Sequence, residues 1–199
     1  MIKKLINPFY YIAGLKSLAL GLAIIILSST IGYFSHTHFP SIISIKTSPD
    51  MPLWYFIIQN LINWLTISTF MYIAAILFSK SKVRIIDIYG TQALARYPYF
   101  PAAFIGFSEA LELFGKYILW TTLKMGEPVE ISNIEIMVAV TLIVFSLLLT
   151  IWLIALMFNA FKISANIKGS KLSIIFIIVL VISVIITEYL NYQFTLKLY

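Results

Sequence analysis

Cysteine is missing from this chain, and histidine is scarce, at two residues. The first absence removes disulfides, thiol nucleophiles, iron–sulfur clusters and thiolate zinc sites. The second leaves His36 and His38 as the whole imidazole supply, and a metal site would need further ligands beside them. Charge is short as well: 11% of the 199 residues are charged, while 61% are hydrophobic. Water-soluble domains hold about 25% charged and 45–50% apolar residues. Here the excess would leave an apolar surface in water, so the composition implies a polytopic membrane protein with a single transmembrane domain, residues 1–199.

Catalytic signatures are also wanting. There is no His-Glu-x-x-His for a membrane metalloprotease. Gly106-Phe107-Ser108-Glu109 is not a nucleophile elbow. No phosphate-binding glycine loop occurs, and Asp87 is the one aspartate inside an apolar stretch, which excludes an aspartyl dyad. No enzyme activity, cofactor or metal is expected.

What is present is apolar length. Five runs are expected to span a bilayer as helices: 18–34, 53–78, 85–107, 134–158 and 172–189. The four other than 85–107 carry almost no charge and have about 17–26 residues, enough to cross a core of about 30 Å with some tilt. Lys3 and Lys4 precede the first run as in a secretory signal. Pro8 and Lys16 intervene, and no small-x-small cleavage site follows, so an uncleaved span is expected. Residues 108–124 suit an amphipathic helix lying in the interface. Glu109, Glu112 and Lys116 share one face there, with Glu112 and Lys116 spaced for a pair. No internal repeat is evident, and no loop is long enough to fold as a soluble domain.

The net charge of +6 lies in short loops, a topology signal and not a nucleic-acid groove. With the N-terminus cytoplasmic, the inner side holds Lys3, Lys4, Lys16, Lys80, Lys82, Arg84, Lys162, Lys168 and Lys171. The outer side holds Lys46, Lys116, Lys124 and Lys197. The positive-inside rule favours this arrangement, with the C-terminus outside.

Segment 85–107 differs from the other runs because it carries Asp87, Gly90, Arg96, Pro98 and Pro101. A charge at the bilayer centre costs about 2.5–3.5 kcal/mol on insertion scales, so it needs a partner, water or a shallow position. Asp87 and Arg96 would stand about 13–14 Å apart along a straight helix, half a turn out of register, and could meet only if it broke. Gly90 could permit a break, and the prolines disturb the following turn. Asp87 lies near the inner face, within reach of Arg84. Arg96 could anchor topology by snorkelling to inner-leaflet phosphates, or serve as a functional intramembrane charge.

Gln59, Asn63 and Thr66 share one face of the second span, either for interhelical packing or for a substrate path. Trp54, Tyr55, Tyr33, Tyr189 and Tyr192 stand at span ends, as an interfacial belt would place them.

Several short features carry a resemblance: Asn7-Pro8-Phe9 with Gly14, the stretch from Gly90 through Thr91, Gln92, Ala93, Leu94, Ala95, Arg96 and Tyr97 to Pro98, and Asn159-Ala160-Phe161-Lys162 followed by Gly169. With five spans in about 200 residues, the chain resembles the prokaryotic branch of the Yip family of five-span membrane proteins. Eukaryotic members bind Rab-type GTPases in vesicle traffic, with a signature similar to Asp-Leu-Tyr-Gly-Pro. Here Asp87-Ile88-Tyr89-Gly90-Thr91 has threonine in the proline position and stands before the third span. The resemblance therefore implies the architecture, without Rab binding. For prokaryotic members it implies a membrane protein without an established activity; the chain is expected to be a non-enzymatic interaction or organising protein of a bacterial inner membrane. Its basic inner loops and residues 87–98 would be offered to anionic lipid or to a membrane or cytosolic protein partner. The alternative is a small transporter or channel subunit whose path is lined by Asp87, Arg96, Gln59 and Asn63.

Overall fold

The computed structural model describes residues 7–47 and 50–196. Lys3, Lys4 and Lys197, which count toward orientation, lie outside the described residues. The fold is all-α apart from one two-residue strand pair. Four helices are long and apolar enough to cross a membrane: α1 (Gly14–Ser35), α2 (Leu53–Phe78), α6 (Asn133–Ala165) and α7 (Ser170–Leu196). The bounds of α2 are those expected. The last two run on past the expected ends at 158 and 189, because helical hydrogen bonding continues after the apolar run stops. Local signals set the actual limits of α6. A capping box opens it: the Glu135 N–H donates to Ser132 Oγ at 3.2 Å, and the Ser132 N–H donates to the Glu135 carboxylate at 2.7 Å. Asn166, left-handed at φ 50°, closes it.

Segment 85–107 is not one helix. It comprises α3 (Ile85–Leu94), a turn at 95–98, the one-turn α4 (Tyr99–Ala102) and a 3-10 turn at Ile105–Phe107. The break falls at the prolines and not at Gly90. Pro98 has no N–H, and its ring would meet the carbonyl four residues back, that of Leu94, where α3 ends. Tighter bonds take over: Arg96 N–H to the Ala93 carbonyl at 3.2 Å and Tyr97 N–H to the Leu94 carbonyl at 3.2 Å. Such 3-10 adjustment is how a proline-broken segment keeps its backbone satisfied in a bilayer.

Though broken, the segment runs parallel to α1 along its whole length. Asp87 lies beside Gly14, Ala93 beside Gly21, and Gly106 beside Ser35. Ser35 Oγ donates to the Ala103 carbonyl, and the Gly106 N–H donates to Thr37 Oγ1 at 2.9 Å. Helix α2 packs on α1, α3 and α7, and α6 packs on α3. Loops 79–84 and 166–169 share one end of the bundle, where Asn166 Nδ2 donates to Ser81 Oγ at 3.4 Å and Lys171 lies 5.0 Å from the Phe78 ring centre. This is the basic end. At the opposite, acidic end lie the strand pair, β1 (Thr37–His38) with β2 (Lys46–Thr47), and α5 (Ala110–Leu123). Helix α5 is the expected amphipathic helix. It rests on α6 and carries the Glu112–Lys116 pair at 2.6 Å.

In a membrane, helices associate through close packing rather than by escape from water, so small residues sit where backbones meet. Gly21 is such a point: a Cβ there would fall onto the backbone of Ala93 and Leu94. At Gly90 a Cβ would come 2.6 Å from Ser17 Oγ and 2.7 Å from the Gly14 carbonyl oxygen. Gly115, on α5, faces open space. Gly21→Ala should therefore destabilise the solubilised protein by about 1–3 kcal/mol, the usual cost of overpacking. Gly115→Ala should be neutral or stabilising by up to about 1 kcal/mol. Thermal unfolding of the two variants checks the contrast, and equal midpoints would contradict the close approach of α1 to α3.

Candidate functional site: a buried guanidinium beneath an inserted loop

The proline break carries Arg96 into the middle of the bundle. The side chain has 0% exposure. It does not snorkel to a leaflet surface, because α1, α2 and α6 pack around the segment that carries it. Nε, Nη1 and Nη2 all lack a hydrogen-bond partner among the described residues. Its specific partner is Tyr99: the guanidinium carbon lies 5.3 Å from the ring centre, and the hydroxyl oxygen, which can accept, is close enough to interact with the guanidinium. A desolvated cation–π contact contributes about 2 kcal/mol. An uncompensated buried charge costs about 3–5 kcal/mol. The ring thus offsets part of the penalty, and arginine cannot escape the rest by losing its proton. Asp87 does not supply the balance. It stays at the basic end in the first turn of α3, with its carboxylate 3.5 Å from Arg84 Nε. One turn before Arg96, Gln92 donates to the Met157 carbonyl at 3.1 Å and keeps an unpartnered Oε1.

Toward the acidic end, Tyr99 is covered by the loop that follows α1. Residues 37–42 do not lie outside the bundle as a surface loop would, whereas Lys46 and Thr47 stay exposed. Phe39, Ser41 and Ile42 are fully buried. Phe39 stacks on the Tyr99 ring at 4.0 Å. The Tyr99 hydroxyl donates to the Ile42 carbonyl. A loop inside a bilayer protein must have its backbone groups bonded by protein, and the seam of α2 does this. Gln59 Oε1 accepts from the Phe39 N–H at 3.0 Å, and Asn63 Nδ2 donates to the Phe39 carbonyl at 2.6 Å. From α7, Asn191 Nδ2 donates to the Pro40 carbonyl and to Asn63 Oδ1, each at 2.9 Å. Gln59 and Asn63 thus have structural partners. Asn191, which sequence reasoning missed, completes the set. It lies beyond the expected end of the last span, and only the extension of α7 brings it to the loop.

Tyr55 is buried and not part of an interfacial belt; its hydroxyl pairs with Thr195 at 3.0 Å and accepts from Gln59 Nε2 at 3.1 Å. Trp54, Tyr33, Tyr189 and Tyr192 are exposed near helix ends as expected. The two histidines part company. His36 Nδ1 lies 3.3 Å from an Asp50 carboxylate oxygen in a concave surface shared with Phe107, Glu109 and Glu112. His38 turns inward, its ring 6.2 Å from that of Tyr55.

At the basic end, Lys16, Lys80, Lys82, Arg84, Lys162, Lys168 and Lys171 are all exposed, and Asp87 is half-buried. The acidic end carries Asp50, Glu109, Glu112, Glu127, Glu130, Glu135 and Glu188, against Lys46, Lys116 and Lys124 among the described residues.

Comparison of the chain with protein-family models, curated proteins and solved structures finds no match. Composition and architecture define the class: a polytopic helical membrane protein, distinguished by a fully enclosed cation at the centre of its bundle.

Burial drives the His38 pKa down from 6.5 to about 4; the Gln59 hydrogen bond opposes the shift and Lys46 adds to it. Unfolded, His38 takes up its proton near pH 6.5, whereas folded it stays neutral to about 4. Between these values the unfolded chain binds more protons, so stability falls as pH drops from 6.5 toward 4. Above 6.5 the His38 contribution is level. Thermal unfolding stepped through pH 4–8 should show this slope, and His38→Gln should flatten that part of it.

Proposed function

We propose that this is a non-enzymatic interaction or organising protein of a bacterial cytoplasmic membrane, resembling the prokaryotic Yip-type proteins. It crosses five times, with the basic end in the cytoplasm and the C-terminus outside. The observation that carries the proposal is the basic end itself: seven exposed cations around one half-buried carboxylate. Each juxtamembrane Lys or Arg adds about 1 kcal/mol of attraction to an anionic leaflet. The same asymmetry supports the orientation. The two amides expected to line a transport path, Gln59 and Asn63, instead bond loop backbone and Asn191. That favours interaction over conduction through this seam.

The test is affinity capture from native membranes, with mass spectrometry of co-purifying lipids and proteins. Anionic phospholipid should be enriched over its bulk share. Neutralising Lys80, Lys82, Lys168 and Lys171 to Gln should reduce that enrichment at least several-fold and leave zwitterionic lipid unchanged. Bulk lipid ratios with the native protein would contradict the proposal. A reporter fused after Tyr199 should report from the outer side.

A further inference from the structure

Every Lys and Arg among the described residues is exposed except Arg96. The chain has eight Asp and Glu, all among the described residues, and none forms an ion pair with Arg96. Its neighbours Gln92, Ala93 and Ala95 are as buried as it is. Buried charges in proteins are paired, and a guanidinium keeps its proton at any accessible pH. A water molecule could accept its hydrogen bonds but would leave the charge unbalanced. No carboxylate among the described residues balances the charge, and an anion from outside the chain would. Complete enclosure excludes a lipid phosphate, which would have to bring its glycerol and acyl chains along.

We propose that Arg96 anchors a buried site for one small monovalent anion of halide size, lying between the proline break of segment 85–107 and the inserted loop. The buried guanidinium nitrogens supply the donors. Gln92 Oε1, buried one turn before Arg96, also has no partner among the described residues. The Tyr99 hydroxyl hydrogen is committed to the Ile42 carbonyl, so Tyr99 contributes its ring and not a donor. The site is independent of the lipid interaction proposed for the basic end.

The test uses the full chain in nanodiscs of zwitterionic lipid, with chloride exchanged for gluconate. Chloride and then bromide are titrated at constant ionic strength, followed by chloride NMR line broadening and by thermal unfolding. Saturable binding of one halide per chain is expected, with a midpoint that rises on binding. Acetate in place of halide asks whether a small carboxylate also fits; a response larger than chloride's would overturn the halide-sized assignment. Arg96→Gln should abolish the halide response. Gln92→Glu should abolish it too while the protein stays folded, because it places a carboxylate one turn from the guanidinium. Where Arg96→Gln does not fold, Gln92→Glu carries the comparison. Absence of saturable halide binding to the native protein would overturn the site, as would equal binding to either folded variant.

Discussion

Pro98 imposes the constraint on which the rest of the arrangement depends. Its missing N–H and its ring end α3 at Leu94, and the chain then passes through a tight turn before resuming at Tyr99. That turn holds Arg96 in the interior, with 0% exposure. It also sets Tyr99 one turn further along, with its ring toward both the guanidinium and Phe39. Through Tyr99, the break in segment 85–107 is linked to the loop inserted after α1.

That loop explains where the polar residues of the interior are used. A bilayer offers no water to unpaired backbone groups, so residues 37–42 can enter the bundle only because side chains meet their N–H and carbonyl groups. Gln59 and Asn63 from α2 and Asn191 from α7 do so, while glycines at 21 and 90 let α1 lie against α3 closely enough to close the other side. Arg96 is left as the buried charged group whose needs the described residues do not meet. The surface divides in a simpler way, with cations at one end and carboxylates at the other, and the proposed lipid interaction rests on that division alone.

Much of the fold was legible in the sequence, because it depends on long apolar runs. Residues 53–78 are a helix over those very bounds, and the Glu112–Lys116 pair follows from spacing on one helix face. Asp87 was expected near Arg84 and is found there. The site was less legible because its partners are distant in sequence. Gln59 and Asn63 share a face by period, but nothing local says that they bond Phe39 in the loop after α1. Arg96 was identifiable as costly. Whether it would reach a surface depended on which way the proline break turned, and that is decided by packing against three other helices.

Single-cysteine labelling tests the central claim most directly, in a chain that has no cysteine of its own. Ala95→Cys keeps Arg96 in place and puts a thiol at a position with 0% exposure. In sealed vesicles of either orientation it should resist a membrane-impermeant maleimide until the protein is unfolded. Cysteines at Ser81 and Phe107 should label from opposite faces. Rapid labelling of the cysteine at 95 from the face that reaches 81 would place Arg96 at a membrane surface and contradict the enclosed guanidinium.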